Sequence, residues 1–532
     1  MFLCLNIDTM SIKNSDQLFQ LIKSLSKGEK RHFKLFATRH KGGENAKFLK
    51  LFDAIDALAD YNEDKILKKV KSIDSAQLSN IKQHLYKQIM QGLRMLHTAN
   101  DIDLKIREQI DYAVILYNKC LYQQSAKVLE KAKEMSKKFG KTVLLLDIHE
   151  MEKRQVIKFV RRNIQGKVEQ LIPEGEIVQK QLNNINTFSN LSLKLYAFYL
   201  KIGFIRNSID FELANSFLYS TLPVFQEESL SAEERIHLYD SLVGYYFFTQ
   251  DYARGYDYAK KWVALFDKNP SLIASKTELY VKGVNNFLKA QSKLSLYDDF
   301  LRTTEKFEEL KHIPDVYLPE NISIQIFRYS SKHKIERYFM LGEFDEGSKE
   351  VDKITKELKH YKDKLNQYDL LLFHYKFACM YFGNAQYKET IHWLNEIINT
   401  KDVDLRADIL SFARILNLIS HYELNHTDLV DYYIKSTYRF LSKKEDLHLF
   451  QTKIIKFLKK LNMVRTDKEL RVAFKDLRDQ LLPLANNPYE KRAFMYFDIL
   501  SWLESKIYGK PVQEIIQSKV LKKVVNENVQ NY

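Results

Sequence analysis

The chain has 532 residues, of which 45% are apolar and 28% charged, and this composition excludes an intrinsically disordered protein. Glycine and proline are scarce, at 15 and 8 residues, which predicts long helices with short connections rather than many strands and hairpins. Three widely separated cysteines (Cys4, Cys120 and Cys379) form no C-x-x-C pair. They therefore exclude a disulfide scaffold or a cysteine-rich zinc site and indicate a reducing compartment.

The first ten residues do not have the pattern of a secretion signal. No basic segment precedes their apolar run, and Asn6 and Asp8 interrupt it. Met10 is an alternative start, so residues 1–10 are treated as an uncertain leader. No stretch of the chain approaches the roughly 20 apolar residues that cross a bilayer. We therefore expect a cytoplasmic protein without a transmembrane segment.

The net charge of +15 is concentrated at the two ends of the chain. Residues 11–100 carry +8 and residues 441–532 carry +7, whereas the middle is close to neutral. Such a distribution suggests a polyanionic partner. Only 20 of the 83 basic residues are arginine, however, and arginine is the residue that binds phosphate and bases bidentately. Nucleic acid is thus a weaker expectation than a protein partner.

Residues 11–100 predict a basic helical region. Ser26 and Glu29 form a capping-box pattern that opens a helix running to about His40. Four basic residues follow at i, i+3, i+4 and i+7, so they share one face and form the candidate polyanion contact: Lys27, Lys30, Arg31 and Lys34. Apolar spacing predicts two further helices, over residues 48–58 and 77–96, and we expect this region to cap the helices that follow.

Residues 101–440 contain a two-helix motif that recurs at least four times. In its clearest copy, Tyr381 precedes a small residue, Ala385, and then Tyr387, Thr390 and Leu394 follow at helical spacing. Small residues stand where two helices must approach each other, and large residues stand where they interlock. The equivalent turn positions in the other copies are Cys120, Gln250 and Gly342.

This pattern resembles the tetratricopeptide repeat. The resemblance implies an all-α, right-handed solenoid of helix pairs, and it implies no particular ligand. The spacing from Gly342 to Ala385 is 43 residues, longer than the 34 of the standard repeat, and a further copy around Asn425 is degenerate. Residues 145–235 and 265–330 are helical in period without a clear copy of the motif, and Pro173 is expected to interrupt the first of them.

Residues 441–532 form a basic helical C-terminal region. One amphipathic helix places four lysines between apolar residues (Lys453, Lys456, Lys459 and Lys460), as a final solenoid helix with a solvated face would. Binding to a membrane surface is the alternative for this helix. Pro483 and Pro511 are expected to mark loops.

Three motifs with chemical meaning are incomplete. Gly140-Lys141-Thr142 ends like a phosphate-binding loop, but Met135 replaces the required earlier glycine, so a helix end followed by a new helix is favoured. His149-Glu150 begins like a zinc-protease helix, but Lys153 replaces the second histidine. His421 and His426 are five residues apart with a turn at Asn425, an unhelpful separation for ligands on one helix. We therefore expect no catalytic residues, no cofactor and no metal.

The expected function is a non-enzymatic scaffold or adaptor that binds a protein or peptide on the solenoid surface. The alternative is a nucleic-acid-associated regulatory protein that uses its basic N-terminal helix, and an enzyme with an unfamiliar site is the third reading. The identity of the partner and the oligomeric state stay open.

Overall fold

The computed structural model describes the chain in segments. These comprise residues 17–38, 43–158, 164–202, 205, 207–312, 318–400, 407–443, 449–461, 466–485, 487, 490, 494 and 497–530. The leader, including Met10, lies outside them. The predicted end, near His40, of the helix that opens at Ser26 also lies outside them. All regular elements in these segments are helices, so the predicted all-α class is confirmed. The chain forms two compact units that meet in sequence between Leu171 and Ile172.

The first unit contains α1 (Gln17–Ser24), α2 (Lys27–Thr38), α3 (Gly43–Asp56), α4 (Glu63–Lys69), α5 (Ser75–Thr98), α6 (Ile102–Asn118), α7 (Tyr122–Lys138) and α8 (Thr142–Lys158). The boundary lies within α9 (Ile164–Ile202). The second unit continues with α10 (Ser208–Thr221), α11 (Ala232–Phe248), α12 (Tyr252–Lys268), α13 (Pro270–Ser275), α14 (Thr277–Lys293), α15 (Tyr297–Glu309), α16 (Glu320–Leu341), α17 (Phe344–Tyr361), α18 (Gln367–Gly383), α19 (Tyr387–Ile398), α20 (Ala407–Glu423), α21 (Thr427–Lys443), α22 (Leu449–Leu461), α23 (Asp467–Ala485), α24 (Ile499–Tyr508) and α25 (Val512–Gln530).

The N-terminal helices form where their caps and apolar faces predict. The Ser26 amide donates to Glu29 Oε2 at 2.8 Å and the Glu29 amide donates to Ser26 Oγ at 3.3 Å, which confirms the capping box at the start of α2. The predicted apolar faces of α3 and α5 are buried together with that of α2. The helices α1 and α4 were not predicted, because eight and seven residues are too few to show a clear period.

A single turn geometry recurs between paired helices in both units. One residue of each turn has a left-handed backbone, with φ of 60° at Cys120, 62° at Gln250, 56° at Ser295, 66° at Gly342, 56° at Ala385 and 55° at Asn425. The following amide then donates to a carbonyl five residues earlier, as from Asp251 to Tyr246 at 2.8 Å and from Glu343 to Tyr338 at 2.9 Å. The turn closes the end of the first helix and sets the direction of the second.

These turns define a series of helix pairs, α6–α7, α11–α12, α14–α15, α16–α17, α18–α19 and α20–α21. In the second unit the first helices also contact one another in order, α11 with α14, α14 with α16, α16 with α18, and α18 with α20. Consecutive packing of this kind is consistent with a solenoid. We call these first helices of the second unit the first-helix layer.

The pair α14–α15 was not predicted, because two of its positions exchange size. Five residues after the turn, Gly255 and Gly347 occupy the close-approach position in the neighbouring pairs, whereas Phe300 occupies it here. Nine residues after the turn, Thr304 stands where Val351 and Leu394 are large and Ala259 is small. Both Phe300 and Thr304 are buried, so, compared with α16–α17, this pair packs with its large and small side chains interchanged.

Two expectations about proline are wrong. Pro173 lies inside α9 and Pro483 lies inside the last turn of α23, so neither marks a loop. A helix-interior proline costs about 3 kcal/mol through its missing N–H and its clash with the preceding turn. In α9 the burial of Val178, Phe188 and Leu191 offsets that cost.

The last helix returns to a turn in the middle of the chain. Gln517 Nε2 donates to the Gly342 carbonyl at 3.1 Å, and the Phe344 amide donates to Gln513 Oε1 at 3.2 Å. Val512 and Ile516 pack against the apolar cluster of α16, α17 and α18. A side chain at Gly342 would meet the Gln513 carbonyl at 3.1 Å, so glycine serves both the left-handed backbone and this close contact.

Two helical glycines give a matched test of the helix-pair packing. A Cβ at Gly255 of α12 would lie 2.7 Å from Phe247 Cε1, whereas a Cβ at Gly244 of α11 would meet nothing within 4 Å. Both changes to alanine gain helix propensity, so we expect Gly244→Ala to stabilise the second unit by about 0.5–1 kcal/mol. Gly255→Ala adds overpacking, and we expect it to be less stable than Gly244→Ala by about 1–3 kcal/mol. Urea unfolding of the two variants measures the difference; equal midpoints would contradict the close approach.

Candidate functional site

The predicted basic stripe of α2 is partly neutralised by the neighbouring helix. Lys30 Nζ lies 2.7 Å from Asp56 Oδ1 and Lys34 Nζ lies 2.6 Å from Asp53 Oδ1, both on α3. Lys27 and Arg31 are exposed. A polyanion would therefore meet two exposed basic groups, Lys27 and Arg31, and two that already have carboxylate partners, Lys30 and Lys34.

The incomplete phosphate-loop pattern is a connection between two helices. Gly140 has φ of 59° after the end of α7, and Thr142 begins α8, as the helix-end interpretation predicts. Lys141 Nζ lies 2.9 Å from Asp103 of α6, an ion pair that orients the lysine toward the helix bundle. The incomplete zinc-protease pattern has a similar explanation, since Lys153 pairs with Glu150 at 2.6 Å on the exposed side of α8.

The two histidines around Asn425 lie close together because they do not share one helix: His421 belongs to α20, and His426 follows the predicted turn. The turn at Asn425 folds His426 back, so that the Nδ1 atoms of His421 and His426 lie 3.0 Å apart. Burial, and then the neighbouring His426, lower the pKa of His421. The His421 ring also stacks on Tyr433 with centroids 4.5 Å apart. A hydrogen bond between the two rings accounts for this contact.

A charged stripe crosses three adjacent helices of the first-helix layer. On α16 the charged residues Arg328, Lys332 and Glu336 are spaced four apart, so they share one face. On α18 the only Asp, Glu, Lys or Arg residues are Asp369 and Lys376, seven apart and again on one face. Ion pairs join these groups to one another and to Lys293 of α14. We call the set the layer cluster: Lys293, Arg328, Lys332, Glu336, Asp369 and Lys376.

Asp369 is shared by two cations of α16. Arg328 Nη1 lies 2.7 Å from Asp369 Oδ2, and Lys332 Nζ lies 2.7 Å from Asp369 Oδ1. The Asp369 side chain is only 3% exposed. Asn366 fixes the helix start beneath it, since the Asp369 amide donates to Asn366 Oδ1 at 2.8 Å. Burial alone would raise the pKa of Asp369, but Lys332 and Arg328 outweigh it and hold the pKa below its ordinary value.

Glu336 is also shared by two cations. Lys376 Nζ lies 2.5 Å from one oxygen, Lys293 Nζ approaches the other at 4.0 Å, and Ser292 Oγ donates at 2.9 Å. Burial would raise the pKa of this carboxyl, but Lys376 and Lys293 lower it well below its ordinary range. Both carboxylates of the cluster are thus ionised at neutral pH.

The layer cluster holds more positive than negative charge. Its four cations face two carboxylates, and the cationic side chains are 15–25% exposed. Burial lowers the pKa of Lys332 to about 8, and Arg328 and Lys376 add to the fall while Asp369 opposes it. Burial and Lys376 also lower the pKa of Lys293, although Glu336 opposes the change. The excess positive charge is therefore held at an energetic cost.

A pH titration isolates Lys332 within this cluster. Its pKa is about 8 in the folded protein, against 10.5 for an ordinary lysine in water, so between these values the unfolded chain binds more protons. Stability therefore rises with pH in this range, and we expect a gain on the order of 1–2 kcal/mol between pH 7 and 9.5. Lys332→Met removes this component. Urea unfolding at a series of pH values checks the difference; identical pH profiles for the two proteins would contradict it.

Tyrosines of α9 and α18 lie beside the cluster. The Tyr199 and Tyr368 hydroxyls are 3.3 Å apart, which places the C-terminal half of α9 next to the start of α18. Tyr196 is 55% exposed, and burial of the hydroxyl, followed by the charge of Asp369, raises its pKa. This site was not predicted from the sequence, where its signal is a pair of charges at helical spacing in the otherwise apolar α18.

A second concave surface of the second unit lies on α11 and α12, but its charges balance. An open cavity of about 620 Å³ is lined by Tyr246, Arg254, Asp257, Tyr258, Lys260, Lys261 and Ala264. Arg254 Nε lies 3.6 Å from Asp251, and Lys261 Nζ lies 3.1 Å from Glu227. Because its cations have acidic neighbours in equal number, this surface offers less electrostatic attraction than the layer cluster.

Comparisons of the chain with models of known protein families and with curated proteins find no match. Among the described helices, none has both the length and the unbroken apolar run that a membrane crossing requires.

Proposed function

We propose that this protein is a non-enzymatic scaffold or adaptor that binds a protein or peptide partner on its first-helix layer. The observation that carries the proposal is the stripe of half-buried charges shared by α14, α16 and α18, which places polar recognition groups on consecutive helices. A tetratricopeptide-like, right-handed winding, with α1–α5 as its N-terminal cap, is part of the same proposal.

The mechanism is shape-complementary burial along several first helices. No single helix provides a pocket, so a partner gains contacts as it crosses successive members of the layer. The charged stripe orients the partner and raises its association rate, because complementary potentials steer the encounter. Half-buried charges suit this role better than exposed ones, since water and salt screen them less.

The proposal includes no catalytic turnover. Lys332 and Arg328 hold the Asp369 carboxylate in its ionised form, and Lys376 and Lys293 do the same for Glu336. A carboxylate with a strongly lowered pKa is a poor proton donor and a weak base near neutral pH. These residues therefore suit ion pairing better than acid–base chemistry.

Site-specific photocrosslinking tests the scaffold function. A photoreactive residue replaces Gly244, which is exposed on α11, and a control replaces Lys349, which is exposed on the second helix α17. In nuclease-treated native lysate we expect a defined protein to crosslink from position 244 and not from position 349. Equal crosslinking from both positions, or none from position 244, would overturn the assignment of the first-helix layer.

The nucleic-acid alternative rests on the two exposed basic groups of α2. Lys27→Glu with Arg31→Glu reverses them, and Lys68→Glu with Lys69→Glu on α4 makes the same change of net charge at another exposed place. Under the scaffold proposal, both double variants have the same nucleic-acid affinity and the same slope of affinity against salt. A smaller slope in the α2 variant alone would favour the alternative.

A further inference from the structure

Each carboxylate of the layer cluster is paired with two cations. Arg328 and Lys332 converge on Asp369, and Lys376 and Lys293 converge on Glu336. Each group of three carries a net charge of +1, so the cluster carries +2. A buried pair of opposite charges needs one partner for each ion. The second cation of each group therefore exceeds what the packing of these helices requires.

Two further observations show that the cluster can accept another polar group. Arg328 Nε is buried and has no hydrogen-bond partner among the described residues. Such groups are rare, because a buried donor without an acceptor is destabilising by about 1–3 kcal/mol. Tyr196, within electrostatic range of Asp369 and Arg328, is more than half exposed, so the edge of the cluster is open to solvent.

The dimensions of the cluster fit a short extended chain. Its cations lie on α14, α16 and α18, which contact one another in order. Lys293 and Lys376 bind the same carboxylate of Glu336, so the long dimension of the cluster runs along the helices and not across them. Seven residues of α18 separate Asp369 from Lys376, which is about 10 Å at 1.5 Å per residue. An extended polypeptide covers about 3.3–3.6 Å per residue, so three or four residues span the cluster.

We propose that the layer cluster binds a short acidic segment of the protein partner, three or four extended residues with at least two Asp or Glu side chains. This inference rests on the proposed scaffold function and supplies the chemistry of its ligand. Each acidic side chain forms an ion pair with the second cation beside Asp369 or Glu336. A backbone carbonyl or a carboxylate of the segment accepts a hydrogen bond from Arg328 Nε.

A carboxylate ligand fits the cluster better than a phosphate. Three of the four cations are lysines, and the single arginine already donates from Nη1 to Asp369. Phosphate recognition favours several arginine forks, and a dianion is also repelled more strongly by the two carboxylates within the cluster. The cations are only 15–25% exposed, which suits a thin peptide rather than a nucleic-acid helix.

Fluorescence anisotropy with the full-length protein tests the inference. The probe is a labelled ten-residue peptide rich in glutamate, and its control has glutamine at each glutamate. We expect the glutamate peptide to bind at least ~10-fold more tightly than the glutamine peptide, with an affinity that falls as salt rises. Equal affinity for the two peptides would overturn the proposal.

Charge-removing variants locate the binding. Lys332→Gln with Lys376→Gln removes one cation from each group, and Lys349→Gln with Lys353→Gln removes two exposed cations from α17. We expect the first double variant to bind the glutamate peptide at least ~10-fold more weakly, and the second to stay within about twofold of the original protein. Equal losses in both variants would mean that the peptide responds only to net charge, which contradicts a specific site.

Lysine acylation of the unmodified protein gives an answer that does not depend on the folding of a variant. Acetylation with an amine-reactive ester, followed by mass spectrometry, should show protection of Lys332 and Lys376 by the glutamate peptide and no protection of Lys349. Protection of all three lysines, or of Lys349 alone, would overturn the proposal. A single-stranded oligonucleotide of equal charge is the third arm, and equal protection of the cluster by it would replace the acidic peptide with nucleic acid.

The failure of this inference is distinguishable from the failure of the scaffold function. A partner that crosslinks from position 244 while the glutamate peptide leaves the cluster unprotected refutes the acidic ligand and keeps the scaffold. The absence of a crosslinked partner, together with cluster protection by the peptide, refutes the scaffold and leaves an anion site.

Discussion

Asp369→Asn is expected to destabilise the second unit by about 3–5 kcal/mol, the range for breaking a buried ion pair on one side only. The change keeps the size of the side chain but leaves Arg328 and Lys332 without their carboxylate, in a site where Asp369 itself is only 3% exposed. We expect the faster hydrogen exchange to appear first in peptides from α16 and α18, because these two helices share the pair. Hydrogen-exchange mass spectrometry and urea unfolding measure the two effects.

A second substitution separates lost charge from lost packing in this variant. Lys332→Met in the Asp369→Asn background removes one of the two unpaired cations and keeps an unbranched side chain of similar length. We therefore expect the double variant to be more stable than Asp369→Asn alone, since replacing buried ions with apolar groups is often neutral or stabilising. A further loss of stability in the double variant would contradict the ionic explanation and assign the effect to packing.

Trp502→Phe is expected to be more destabilising than Trp262→Phe by about 1.5–3 kcal/mol, the range for a hydrogen bond to a charged group. Both tryptophans are fully buried. Trp502 Nε1 donates to Glu423 Oε1 at 2.6 Å, whereas Trp262 Nε1 has no hydrogen-bond partner in the described part of the chain. The two changes remove the same volume, so their difference reports the hydrogen bond that Trp502 loses together with the unpaired donor that Trp262 loses.

Urea unfolding followed by far-ultraviolet circular dichroism measures this pair without relying on tryptophan emission. Glu423 also pairs with Lys506 of α24 at 2.5 Å, so hydrogen exchange in α20 and α24 should increase for Trp502→Phe. Equal destabilisation by the two substitutions would mean that the Trp502–Glu423 bond contributes nothing net and that volume alone matters.

The repeating architecture was predictable from sequence because its rules are local. A small residue at the turn identified the pairs around Gly342 and Ala385, and apolar residues at helical spacing identified these two and the pair around Gln250. The pair around Ser295 was missed, since Phe300 and Thr304 exchange large and small positions and only the three-dimensional packing shows that they compensate. Short helices such as α4 were missed because seven residues do not establish a period.

The layer cluster was missed for a different reason. Its ion-paired residues lie 37 to 43 positions apart in sequence, from Lys332 to Asp369 at the least and from Lys293 to Glu336 at the most, and every pair joins two different helices. A charge in an apolar helix is a visible signal, but its partner is set by which helices become neighbours. The basic stripe of α2 was visible in sequence because all four residues belong to one helix. Its partial neutralisation by α3 was not visible, because that depends on which helix packs beside it.

The return of α25 to the Gly342 turn has a consequence for synthesis on the ribosome. The two bonded positions, Gly342 and Gln517, are 175 residues apart. At roughly 5–20 residues per second, translation delivers the last helix about 10–35 s after the turn has emerged. Helices fold far faster than this. The pairs from α11 to α19 therefore complete their own contacts while the surface around Gly342 is still uncovered. In a chain that stops before residue 512, Val512 and Ile516 are missing, and the apolar surface that they cover is exposed to other chains and to chaperones.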